Sequence, residues 1–441
     1  HLTGAWDFEN EGFGLKFKDS YFRILGQDWA IDPRNQLSLM GRDWKAENLY
    51  LSNQDQSIAM NGRLSKDSSA ILSLQANNFQ LSTLGPLFKV KSTGVLNGEL
   101  NLKNWYQNSE MDSWFKIDSL HFGKVYIGNV QAIGNFSSEV NAMDLNMNVT
   151  RMDSTVLTVT GLYKPSGGEQ KLDLQADLNR TDLKILEPFT EGVFSGLTGT
   201  ALGKIKIKGH LQEPELEGKV WVNKGGVTFD YLNTNLTVSD TVQFLPRKIV
   251  ANNWTVKDTD GNQSKLNVLV EFPKGQDFNL DVKAELNRFK LMNTKRSLNS
   301  IYYGLGYGTG PLRVSGTLKD LLVFADLKTE KGTRLFIPLD RDYGTSGTED
   351  YQLFSQYIKA ENEIEKKETV STQLKQDGIE LDLNLRLTPE AYGEVLFDSQ
   401  KGDLMRLYGN GQIKMTLDKQ GKFLMNGDYK IEQGDYTFSL Q

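Results

Sequence analysis

The chain has no cysteine anywhere in its 441 residues. That removes disulfides, zinc ribbons and thiol nucleophiles together, and it fits an oxidising compartment where stray thiols are a liability. Proline is scarce, 10 residues against 41 glycines, a balance that points to turns and bulges rather than to disorder. No run of 18 apolar residues occurs, so the sequence offers no helix able to span a bilayer. Basic charge is not in excess either: 50 Lys and Arg against 56 Asp and Glu give a net −6. Phosphate binding needs a concentrated basic surface, so nucleic acid is not an expected partner.

Catalytic patterns are absent as well. His121 and His210 stand without a nearby carboxylate or serine constellation, which leaves no general base. No P-loop, dinucleotide fingerprint or zinc-protease motif occurs. Asp258, Asp260 and Asn262 resemble the start of a calcium loop, but its twelfth position is Leu269 instead of glutamate, so a hairpin turn is expected there. Asp403, after Gly402, reads as a turn former. The expectation is a protein that is not an enzyme, with no catalytic residue, no metal and no cofactor. His1 is not a natural start, nothing near it reads as a signal peptide, and the last residues, from Tyr436, stop inside a strand-like alternation. Both ends read as cuts through a longer polypeptide.

What the chain does have is alternation at period two. Lys204-Ile205-Lys206-Ile207-Lys208, Leu280-Asp281-Val282-Lys283-Ala284-Glu285-Leu286 and Ile379-Glu380-Leu381-Asp382-Leu383-Asn384-Leu385-Arg386-Leu387 are clear cases. Successive strand side chains point to opposite faces, so each run has one apolar and one wet side. The charged members would be costly to bury, so their face must see water. The other face has to meet something apolar. Runs of five to nine residues are separated by polar turns such as Asp258–Asn262 and Asp418–Lys422, short connections that join antiparallel neighbours. The reading is all-β: an elongated, mostly antiparallel, curved sheet with a few short amphipathic helices.

Laid on itself, the chain repeats about every hundred residues. The run from Leu74 leads to Gly94–Leu102, that from Leu174 to Gly203–Ile207, that from Val282 to Pro311–Gly316, and that from Leu381 to Gly411–Met415. The intervening stretches 183–196 (Leu183, Leu186, Phe189, Val193, Phe194) and 291–305 have mixed or helix-like spacing. Gly218–Gly225 and Gly427–Gly434 match in pattern. A fixed period means stacked supersecondary modules, here one continuous groove over 1–441 with approximate units 1–103, 104–209, 210–316 and 317–441.

Several of these motifs resemble a known family. Gly402-Asp403-Leu404, Tyr408-Gly409-Asn410-Gly411, Gly421-Lys422-Phe423-Leu424-Met425-Asn426-Gly427-Asp428-Tyr429 and Gly434-Asp435-Tyr436-Thr437-Phe438 look like the conserved-region signature of TamB proteins, the AsmA-like proteins of the translocation and assembly module. Gly209–Gly218, with Pro214 and Leu216, resembles the family's recurring step between strands. The similarity is strongest in 199–231 and 379–440. It implies a curved sheet folded like a taco with an apolar lining (a β-taco), lying in the periplasm and anchored at the inner membrane by a segment outside this chain. It also implies phospholipid transfer between inner and outer membranes, and outer-membrane protein assembly with a BamA-like barrel of the TamA class. In the family a further C-terminal part follows the tyrosine–phenylalanine strand, and docking to that barrel is associated with it.

The expected groove lining consists of inward members of the alternations: Ile205, Ile207, Val220, Val222, Leu266, Val268, Val270, Val282, Leu381, Leu383, Leu385, Ile413 and Met415. Phospholipid acyl chains are the expected guest. The competing reading packs these residues against an opposing sheet, in an array of β-sandwich domains that binds protein or glycan. A transmembrane barrel is a further rival, disfavoured because its strands need about ten residues. The polar run 359–373, with Gly344–Gly347 nearby, reads as a solvated insertion.

Overall fold

The computed structural model describes residues 4–9, 12–24, 26–87, 91–165, 171–190, 194–211, 213–275, 277–298, 302–317, 319–338, 378–398 and 402–437. The polar run 359–373 and the Gly344–Gly347 stretch lie outside the described residues. Among those described are 27 strands and three short 3-10 helices. The protein is all-β. It forms two units, residues 1–228 with 237–251, and residues 229–236 with 252–441.

In the first unit each strand from Asp43–Asn53 through Phe194–Gly209 pairs antiparallel with the next. The second unit begins in the same way, with Gln263–Glu271, Asn279–Thr294 and Tyr303–Thr317 in antiparallel order. It then departs from a plain meander. Tyr303–Thr317 pairs with both Asp320–Thr329 and Arg334–Pro338, two halves of one interrupted strand. These halves run parallel to Ile379–Leu387 and Tyr392–Asp398, which pair antiparallel with Asp403–Leu417. Phe423–Thr437 adds to that strand. Parallel neighbours need a long connection, and residues 339–377 separate these two in sequence.

The strands are longer than the alternating runs. Phe194–Gly209 and Asn279–Thr294 each have 16 residues, where runs of five to nine were expected. The reason is a recurring bulge. At Ala46/Leu49, Ala76/Phe79, Ile117/Leu120 and Leu286/Phe289 one extra residue enters the strand, so that two residues oppose one on the partner. Inward residues there are three apart instead of two, so the alternation changes phase and one strand reads as two. The second residue of each bulge pair is left-handed: Asn48, Asn78, Ser119 and Arg288 have φ between 48° and 54°. Its backbone N–H is turned out of the ladder and donates to a side chain on the following strand. Asn48 donates to Asn61 Oδ1 (2.7 Å), Asn78 to Asn97 Oδ1 (2.9 Å), Ser119 to Asn129 Oδ1 (2.9 Å) and Arg288 to Thr309 Oγ1 (2.9 Å). Bulges bend a strand and increase its twist. The glycine content points to bulges, and bulges are present; at these four the left-handed position is held by a residue other than glycine, whose N–H is satisfied by its neighbour.

The turn at Asp258 is a hairpin turn, as expected. Asp258 N donates to Asn262 O and Gly261 N to Asp258 O. The buried Asp258 carboxylate accepts from the backbone N–H groups of Asp260, Asn262 and Lys290 and from Asn262 Nδ2. Asp418 builds the same turn, accepting from Gln420 N and Lys422 N. These carboxylates are used up in holding backbone, and among the described residues no cluster of His, Asp or Glu is arranged to hold a metal.

Candidate functional site

Cross-strand register turns the alternation into continuous rows. In the second unit one row runs Val268, Val282, Val314, Val323, Leu381, Leu417, Phe423. The next runs Leu266, Ala284, Leu312, Ala325, Leu383, Met415, Met425. A third places Leu327, Leu385 and Ile413 beside Gly427, and Val270 pairs with Leu280 beyond the first. No charged side chain interrupts these rows across seven strands, about 29 Å at about 4.8 Å per strand.

The first unit has the same construction. Ile58, Ala76, Gly98, Phe115, Ala132, Met147, Val159, Ala176 and Ile205 form one row over nine strands. Ile207 lies in the neighbouring row, opposite Leu174. A Cβ placed on Gly218 would meet Ile205 Cα, and one on Gly203 would meet Val220 Cα. The strand Pro214–Phe229 therefore continues the face with Val220 and Val222.

All thirteen sequence-derived residues thus fall on the apolar faces: four in the first unit and nine in the second. Val220, Val222, Leu381 and Met415 are buried, and the other nine are half-buried. The opposite faces are wet. Lys204, Lys206 and Lys208 are exposed, and ion pairs tie neighbouring strands, such as Lys204–Asp177 at 3.2 Å and Arg313–Asp281 at 2.8 Å. Hydrogen bonds from Gln175 and then Lys204 hold the Asp177 carboxyl below its usual range.

The second unit's sheet folds back on itself. Tyr302 immediately precedes the strand Tyr303–Thr317. Its ring lies 6.2 Å from that of Phe423, which belongs to the row through Val314 near the other end of that strand. Twelve extended residues, about 40 Å at about 3.3 Å each, separate Tyr302 from Val314. A flat sheet could not make the contact. Met292 and Leu335, from beyond the bends, join Tyr302 in one cluster with Val323, Leu381, Leu383, Leu385, Ile413, Met415 and Leu417. The apolar face is the inward one and the charged face is the outer one. A membrane barrel has the reverse arrangement, a stronger objection than strand length, which no longer counts against it.

Sequence reasoning missed the inward residues beyond the bends and the segments that cross the apolar face. Tyr231 and Leu232, from the 3-10 turn Asp230–Leu232, pack on the second unit's cluster. In the first unit, Leu81 and Leu84 from Leu81–Leu87 and Ile185 from Leu183–Phe189 pack on Leu120, Ile127, Val130 and Val149. The helix-like spacing in 183–196 belongs to a 3-10 helix, whose three-residue turn puts Ile185 inward and leaves Leu186 half exposed to solvent at 50%. The similar spacing in 291–305 marks no helix among the described residues: 291–294 and 303–305 are strand, and the phase change of the bulge mimics a helical step.

Residues 252–441 match the family model of the TamB C-terminal domain. That match supports membership of the TamB family for this portion of the chain. No curated protein and no solved structure matches the chain. The TamB portion contains the rows from Leu266 to Met425 and the bend that brings Tyr302 onto them. TamB is a family of transport and assembly, linked to assembly at the outer membrane. Among the described residues, no helix is long and apolar enough to cross a membrane.

Proposed function

We propose that this chain is part of a periplasmic conduit in which phospholipid acyl chains lie along the uncharged inner face while passing between the inner and outer membranes. The full-length protein would be anchored at the inner membrane and work with a BamA/TamA-class barrel, through which the same conduit is linked to outer-membrane protein assembly. The observation that carries this reading is the run of inward rows without a charge across seven and nine strands. Each buried methylene gains about 0.8 kcal/mol, so hydrocarbon would move from row to row without a step into water. Because the rows are redundant, the reading makes no single residue essential.

A sandwich scaffold would need the inward face sealed by a second layer, with its members buried. Nine of the thirteen residues keep partial exposure, which favours a guest. The test is organic extraction of the chain purified from membranes without detergent. The expected result is phospholipid in about stoichiometric amount; lipid-free protein from every preparation removes the proposal.

A further inference from the structure

We propose that the 3-10 segment Leu183–Phe189 is a gate for the first unit's apolar face: Ile185 takes the place that an acyl chain would take, so a seated segment and bound lipid exclude one another. This rests on the acyl-chain reading above. The segment follows Leu172–Asp182 and precedes Phe194–Gly209, two directly paired strands that a short hairpin could join. It reaches back over the sheet instead. Ile185 packs on the cluster that includes Ile127 and Val130, and the segment contacts their strand, Val125–Ser137, three pairings away from Leu172–Asp182, about 14 Å. The path crosses an apolar row that hydrocarbon would otherwise cover.

The segment is fastened at its ends by polar contacts and in its middle by an apolar one. Asp182 caps it, accepting from Lys184 N at 2.9 Å, and also takes Arg151 Nη1 at 2.9 Å. Arg151 lies 5.4 Å from the ring centre of Tyr126, on the strand that the segment contacts. At the far end Gly196 N donates to Glu187 Oε1 at 2.9 Å. Both members of the Arg151–Asp182 pair remain about a quarter exposed, so the latch is open to competition from water and salt. Ile185 itself is only half-buried. An acyl chain offers the floor beneath it equivalent apolar contact over a greater length, and only the middle of the segment has to lift.

The absence of cysteine makes the test direct. Ile185→Cys places one thiol in the whole chain, and Leu186→Cys places one on the exposed side of the same turn. Maleimide labelling rates are measured with and without vesicles of phosphatidylethanolamine and phosphatidylglycerol, and bound phospholipid is quantified in the same samples. The expected result is at least a fivefold faster reaction of the Ile185→Cys thiol once lipid is bound, with the Leu186→Cys rate unchanged. Adding Arg151→Ala to Ile185→Cys should raise the lipid-free rate by a similar factor. An unchanged Ile185→Cys rate in samples that carry lipid overturns the gate and leaves the conduit standing. Equal acceleration at both positions, or no effect of Arg151→Ala, overturns it as well. Absence of bound lipid in every sample removes the gate and the conduit together.

Discussion

Leu383→Arg is expected to lower bound phospholipid at least tenfold while the chain stays folded. Leu383 lies between Ala325 and Met415 in an uncharged row and is half-buried. A guanidinium there cannot lose its water cheaply; its stem can follow the apolar surface and carry the charge to the mouth of the trough, which spares the fold. A guest chain passing that point would lose contact for two or three methylenes at about 0.8 kcal/mol each, and 1.4 kcal/mol already corresponds to about a tenfold change in occupancy. Asn384→Arg, on the outer face of the same strand, is the control. Extraction of the two variants should give little lipid from the first and the native amount from the second. Equal occupancy in both would mean that lipid, if present, lies elsewhere.

Gly218→Ala is expected to be among the most damaging single methyl additions in the first unit, at about 2–4 kcal/mol. Gly218 has φ +156°, and a Cβ there would stand 2.2 Å from Lys204 O on the adjacent strand. Neither the backbone nor the carbonyl can yield without opening the strand pair. Gly427, the matching glycine of the second pattern copy, meets the same obstacle: φ is +147° and the carbonyl of Gln412 would be 2.0 Å away. Gly85→Ala supplies the contrast, since nothing lies within 4 Å of its added carbon. Urea unfolding should show a clearly lower midpoint for Gly218→Ala and almost none of that shift for Gly85→Ala.

How much was legible follows from the periodicities involved. Alternation in Leu280–Leu286 and Ile379–Leu387 assigns inward and outward faces correctly because period two has no other local explanation. Strand length was not legible. At Ala76-Asn77-Asn78-Phe79 the inward residues are three apart, so the run seems to stop where the strand merely bulges. The signal was present in that three-residue step together with asparagine, which tolerates left-handed backbone. Asn61, Asn97 and Asn129 read as ordinary polar residues, because their role depends on the N–H of a bulge residue 10 to 19 positions away. Met292, Tyr302 and Leu335 share an interior with Leu383 only after the sheet has bent, and no window along the chain contains that fact. In all four pattern copies the matched runs are hydrogen-bonded neighbours: Leu74 with Leu100, Leu174 with Ile207, Ala284 with Leu312 and Leu383 with Met415.

The claim beneath all of this is that guest hydrocarbon touches the uncharged face and not its charged reverse. Photo-crosslinking from single benzophenone side chains in place of Ile207, Lys206, Leu383 and Asn384, in cells making the protein, tests it most directly. The account predicts phospholipid adducts from positions 207 and 383 and none from positions 206 and 384. Adducts from the inward positions that contain only protein, or lipid adducts equal on both faces, would contradict it.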